Sequence, residues 1–276
     1  MYRIPFSAFR WLALTAVCAV ASAGTATAGV LDAARQAGTL RVGLDYAPPP
    51  YKGGAKFRTP EGVDTVLVDD LAAQLRLPLS ILPNAAQPLK GGRPDLVLAL
   101  VPEGAATDAG NAAKVESANT VNIPTGYSAG GMAIMRTDTT IRQWQDLKGR
   151  TVCVSEGGAY AGTLAARYGA IEKVMRAPAD SLLAVRTGQC DAAVHDDTLV
   201  KDLLKLPEWK KFSAQLAPTS RRQLVMQVRG ADAGDLAQLR QLAGRWNAAF
   251  WAEVKKKWVN NVAFEVYLDQ NVPDCH

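Results

Sequence analysis

The chain has little of what most active sites are made from. Its 276 residues include two histidines, His195 and His276, and aromatics make up only 7%. His195 with the nearby Cys190 and Asp197 matches no metal-ligand spacing, so no metal and no cofactor are expected. Strand alternation turns His195 and Asp196 to opposite faces, and a packed or capped histidine is the reading for His195. Ser155-Glu156 lacks the G-x-S-x-G order of a nucleophile elbow, and no catalytic residue is assigned. Basic residues, 31 against 26 acidic, are scattered apart from Lys255-Lys256-Lys257. Without a basic face interleaved with aromatics, nucleic acid is excluded as a partner. After residue 28 no run reaches the ~18 uninterrupted apolar residues of a membrane span.

The first 28 residues read as a secretory signal peptide. Arg3 and Arg10 form its basic end, Trp11 to Ala23 its apolar centre, and Ala26-Thr27-Ala28 an A-x-A cleavage site. A lipoprotein signal on Cys18 is disfavoured by Val17, where a small residue is needed. The mature chain is then a soluble, exported protein of about 248 residues with net charge about +3. It keeps Cys153, Cys190 and Cys275. In an oxidising compartment two of the three are expected to cross-link and leave one over.

What is present centres on Thr39-Leu-Arg-Val-Gly-Leu-Asp45-Tyr46-Ala-Pro-Pro-Pro-Tyr51. Leu40 to Leu44 has the pattern of a buried strand, which the prolines must end near Ala47 because proline gives no N–H and fixes φ. A carboxylate and two aromatic rings then stand at the C-terminal end of the first strand, where open α/β sheets bind ligands. An ordinary strand exit is the alternative.

Downstream, strands alternate with helices twice, before Pro124 and after Thr151, which predicts two α/β lobes with mainly parallel sheets covered by helices. The first series is a helix over Val30–Gln36 closed by Gly38, the opening strand, a helix over Val66–Leu75, and strands at Leu79–Leu82 and Asp95–Val101. The last of these is continuously apolar, as for a strand buried on both faces. Two strands, Val121–Pro124 and Tyr127–Met135, are expected on either side of Pro124-Thr-Gly126. The second series runs strand Thr151–Ser155, helix Ala161–Tyr168, strand Lys173–Arg176, helix Asp180–Thr187, strand Asp191–Val194 and helix Thr198–Leu204. A strand at Leu224–Val228 and a long helix over Asp235–Trp258, interrupted by Gly244, close the chain. Trp246, Phe250, Val254 and Trp258 would form its packing stripe.

Several of these segments resemble the bacterial extracellular solute-binding proteins of family 3, the polar amino-acid type. They are Gly38-Thr-Leu-Arg-Val-Gly43 with Pro-Pro-Tyr51, Gly62-Val-Asp64, Asp95-Leu-Val, Asp146-Leu-Lys-Gly-Arg-Thr-Val152, Gly188-Gln-Cys-Asp-Ala-Ala-Val-His-Asp196 and Lys257-Trp258. The resemblance implies a two-lobed type II periplasmic binding-protein fold with two hinge crossings. Lobe one would be 29–124 plus 224–276, lobe two 125–223. It implies a periplasmic monomer that captures a small polar or amino-acid-like solute by lobe closure and delivers it to an ABC permease of the inner membrane. The ligand set it implies is Asp45, Tyr46, Tyr51, Leu100, Tyr127, Gly157, Gly158 and Asp196. Asp196 would take an ammonium group, with a helix N-cap as its alternative role. Gly157-Gly158 would offer backbone N–H groups to an anion. Some members carry cysteines at the positions of Cys153 and Cys190, which implies a disulfide; two buried thiols are the alternative.

The chain also departs from the family. No arginine stands between Arg93 and Arg136, where the family places one on the ligand's α-carboxylate, and Lys114 cannot reproduce its planar fork. The helix before Asp95 is cut to the Asn84–Pro94 loop. Two other readings follow: an accessory factor of a periplasmic quinoprotein-type dehydrogenase that binds no solute, or an enzyme similar to cyclohexadienyl dehydratases. The enzyme would need an acid or base from Asp45, Glu156 or Asp196.

Overall fold

A computed structural model describes residues 29–47, 56–83, 93–104, 120–219 and 221–269. The signal-peptide stretch, Tyr51, Lys114 and Cys275 lie outside the described residues.

Helix α1 (Val30–Ala37) stops at Gly38, whose φ of 70° lets the chain turn directly into β1 (Leu40–Leu44). After a segment without regular structure come α2 (Asp64–Leu75), β2 (Leu79–Pro83), β3 (Leu96–Pro102) and β4 (Thr120–Ala129). The second unit holds β5 (Gly131–Met135), β6 (Thr151–Ser155), α3 (Leu164–Tyr168), β7 (Ile171–Met175), α4 (Pro178–Arg186), β8 (Ala192–Asp196), α5 (Asp197–Leu203) and β9 (Ala214–Gln215). Then come β10 (Arg222–Arg229), α6 (Ala233–Ala243) and α7 (Ala248–Leu268).

The strands form two five-stranded sheets, β2-β1-β3-β10-β4 and β7-β6-β8-β5-β9. Both are mixed rather than mainly parallel. The strands β2-β1-β3 and β7-β6-β8 pair parallel, whereas β10, β4, β5 and β9 pair antiparallel. The continuous apolar run of β3 is buried on one face only, at Leu96 and Leu98.

Two expected breaks move. The pair of strands split around Pro124 is a single strand, β4. Proline is accommodated because β4 is an edge strand and its register with β10 shifts between Gln223 and Val225. The chain first changes sheets at Gly130, where a Cβ would lie 2.5 Å from the Thr219 carbonyl oxygen of the returning segment. Toward the C-terminus, one interrupted helix is in fact two. Gly244 closes α6, and the Asn247 side chain caps α7 by accepting from the N–H groups of Ala249 (3.0 Å) and Phe250 (3.1 Å). This places Trp246, itself buried, ahead of α7; α7 keeps Trp258 of the expected stripe buried and Phe250 and Val254 packed on the core, and adds Trp251, Val259, Val262 and Val266.

That face of α7 packs on α4 and α5 of the second unit. Its Trp251 indole also donates to the Thr125 carbonyl oxygen of β4, at 2.9 Å. One apolar core therefore runs from β1 and β3 through α7 to Met132, Ile134 and Ala193 of the second sheet. A smaller core covers that sheet's other face. Cys153 on β6 and Cys190, just ahead of its neighbour β8, form a disulfide with Cα atoms 5.9 Å apart. No helix among the described residues is long and apolar enough to cross a membrane.

Candidate functional site

Strand ends from both sheets enclose a cavity of about 330 Å³. From the first sheet come Asp45 and Tyr46 after β1, Leu98 and Leu100 on β3, Tyr127 on β4, and Arg222 and Leu224 on β10. The segment leading into α2 adds Glu61 to Asp64, while the second sheet adds Gly157 to Ala159 after β6 and Asp196 at the end of β8. Of the eight residues expected at a ligand site, seven meet here; Tyr51 lies outside the described residues.

Asp196 is the best supported of the polar groups. It stands at the N-cap position of α5 but makes no side-chain capping bond. Instead the Tyr160 hydroxyl donates to its Oδ1 at 2.6 Å and the Tyr127 hydroxyl to its Oδ2 at 2.7 Å. Burial, followed by the charge of Glu61, raises its pKa to about 6 against the pull of these two donors. Burial and the Asp196 charge raise both phenols, which keeps them protonated as donors. Asp64 is likewise pushed up to about 6, chiefly by burial.

The sequence left Glu61 unassigned. Its side chain is 3% exposed and its Oε1 lies 3.0 Å from Nδ1 of the fully buried His195. The other imidazole nitrogen is 3.0 Å from the Ser181 hydroxyl. His195 is thus packed, as expected, but it packs against a carboxylate delivered from the other sheet's side of the cavity. The Gly157-Gly158 turn is met by the same segments. A Cβ on Gly157 would sit 2.3 Å from the Tyr46 ring, and one on Gly158 would sit 2.6 Å from Glu61 Oε2. The Gly158 N–H, expected to face an anion, donates to the Ser155 carbonyl oxygen at 3.1 Å.

Arg222 brings a guanidinium from a strand far along the chain, and its Nη2 donates to the Leu100 carbonyl oxygen at 2.9 Å. Beside the cavity, the two passages between sheets are clipped together. Asp197 accepts from the Gly130 N–H at 3.0 Å and from Arg221 Nη1 at 3.0 Å. Burial would raise the Asp197 carboxyl, but Lys201, the Gly130 N–H and Arg221 outweigh it and hold it low.

Four residues sequence reasoning missed are Glu61, Asp64, Tyr160 and Arg222. Asp64 lay inside a segment already singled out, Gly62-Val-Asp64, whereas nothing local marks the other three.

No family model matches the sequence, and no curated protein matches it. Solved structures do. A variant of ArgBP from T. maritima aligns over 84% of this chain and 99% of its own, with 19% identity and a TM-score of 0.54. This is the two-lobed type II periplasmic binding-protein fold. The arginine-bound form of another ArgBP variant aligns over 79% of this chain and 100% of its own, at 19% identity and TM-score 0.51. An ancestral amino acid-binding protein, described as a precursor of cyclohexadienyl dehydratase, aligns over 83% and 99%, at 20% identity and TM-score 0.51. At these identities the type II fold is what the neighbours share with this chain.

Proposed function

We propose that the protein is a periplasmic solute-binding protein that captures a small polar molecule between two lobes and hands it to an ABC permease. Lobe one is taken as 29–124 plus 224–276 and lobe two as 125–223, although residues 125–129 and 222–223 still run in β4 and β10 of the first sheet and the two passages meet beyond them, at Gly130 and Thr219. The N-terminal 28 residues act as the export signal, the protein works as a monomer, and the ligand leaves chemically unchanged. One observation carries this reading: a carboxylate, Asp196, held by two phenols in a cavity walled from both sheets. A carboxylate with an aromatic and aliphatic surround suits a cationic or hydrogen-bonding group on an apolar body. In this proposal Asp45, Tyr46, Tyr51, Leu100, Tyr127, Gly157, Gly158 and Asp196 contact the solute.

Two further facts bear on the alternatives. The fold is shared with proteins described as binding arginine or amino acids, and nothing in the comparisons supports the dehydrogenase-accessory reading. One of those neighbours is described as an enzyme precursor. Binding without turnover is therefore tested along with binding. In a thermal-shift screen of amino acids, amines and carboxylates, a solute at 100 times its Kd stabilises the protein by ~2.7 kcal/mol. Asp196→Ala removes that response, and the solute recovered after incubation is unaltered by NMR. A screen in which no compound raises Tm, or a response unchanged in Asp196→Ala, refutes the proposal.

A further inference from the structure

We infer that the cavity takes a compact organic cation that lacks a carboxylate, an alkylammonium or guanidinium compound, because the chain's own Glu61 carboxylate already lies against the Gly157-Gly158 turn. The inference rests on the solute-capture reading above and names its ligand class. Three observations converge on it.

The first is steric. Glu61 Oε2 lies 2.6 Å from where a Gly158 Cβ would be, so the surface over that turn belongs to a protein carboxylate. A ligand carboxylate placed there would meet a like charge in a poorly solvated site. The second is hydrogen bonding. The Gly158 N–H is taken by Ser155, while Glu61, which lines the cavity, has its Oε2 buried with no hydrogen-bond partner. An unpartnered buried carboxylate oxygen is costly until a donor reaches it, and an ammonium or guanidinium brings several. The third is charge. Among the described residues lining the cavity, Asp45, Glu61, Asp64 and Asp196 face one cation, Arg222, which is already tied to a backbone carbonyl. The rest of the wall suits a short methylene stem: Leu98, Leu100 and Leu224, with the Tyr46 and Tyr127 rings beside the cation.

Calorimetric titration at pH 8 with matched pairs tests the inference. The pairs are agmatine against arginine and putrescine against ornithine, each differing only by the carboxylate. The amine of each pair is expected to bind at least tenfold more tightly. Glu61→Gln is expected to weaken agmatine at least tenfold and to narrow the gap to arginine. Should that variant fail to fold, Asp64→Asn leaves the Glu61–His195 contact in place and is expected to weaken agmatine severalfold. Arginine binding as tightly as agmatine overturns the inference; if Arg222→Gln then abolishes that binding, Arg222 is the carboxylate clamp. Silence from both amines and amino acids, alongside a response to some other solute in the screen above, overturns this inference alone. Silence from every compound refutes solute capture as well.

Discussion

Asp196→Asn separates a binding carboxylate from a structural one, because the two predict opposite signs of stability change. An unfolded aspartate titrates near ~3.9, whereas the folded Asp196 titrates at about 6. The difference of about two units corresponds to about 3 kcal/mol of strain on the ionised form. The sign follows from proton uptake. A carboxyl raised on folding contributes stability that is full below about pH 4 and is lost as pH rises through about 6. Asparagine removes the charge and with it the penalty at high pH. It also leaves one acceptor oxygen for two donors, Tyr127 and Tyr160, and the unpaired phenol costs about 1 kcal/mol. The ligand-free variant should therefore be about 2 kcal/mol more stable than wild type at pH 8 and about 1 kcal/mol less stable at pH 4. Urea unfolding at the two pH values, with m unchanged, measures this. A cation's affinity should move the other way in wild type, falling as pH drops through 6 and the carboxylates protonate. Equal destabilisation of Asp196→Asn at both pH values would refute the reasoning and return Asp196 to a structural role. Stabilisation combined with lost binding is the mark of a site held in strain for function.

Two further predictions concern the scaffold. Cutting the Cys153–Cys190 link, which closes 37 residues, by paired serine substitution should cost about 4 kcal/mol in the chain-entropy model; free Cys153 in non-reducing peptide maps would contradict the pairing. His195→Ala should cost about 1–3 kcal/mol by taking the buried imidazole from between Glu61 and Ser181 and leaving their polar atoms without it, and adding Glu61→Gln should recover part of that loss in chemical unfolding; strictly additive losses would mean the two groups do not interact.

The elements legible in the sequence are those whose limits are set by local chemistry. Leu40–Leu44 is bounded by a left-handed glycine and a proline run, and Thr151–Ser155 by a turn on each side, so both strands match residue for residue. Where a local rule met a tertiary exception, the rule lost. Pro124 signals a strand end, yet β4 passes through it because an edge strand opposite a register shift needs no N–H there. The apolar period from Asp235 onward marks residues that do reach the core, Trp246, Phe250, Val254 and Trp258, but the Asn247 cap that divides the segment into two helices has no such period to announce it. The mixed character of the sheets was hidden because direction depends on where a strand returns, and β10 returns after the whole second unit.

Glu61 shows why half the site was out of reach. Nothing near it in sequence is periodic, and its surroundings read as polar loop. What fixes it lies about 200 residues away. The Thr59 N–H and hydroxyl donate to Glu265 Oε1 at 2.9 and 2.6 Å, and the Trp258 indole donates to the Pro60 carbonyl oxygen at 3.1 Å. Arg58 donates to Asp180 at 2.9 Å and pairs with Asp269. The segment that carries Glu61 is thus moored to α7 and α4, and α7 in turn packs on α4 and α5. A carboxylate positioned this way is held by the C-terminal helix and the second unit together, although its own chain belongs with the first sheet. That is the geometry by which one acidic side chain can close over a glycine turn on the opposite wall, and among the described residues it leaves the cavity with four carboxylates to one guanidinium.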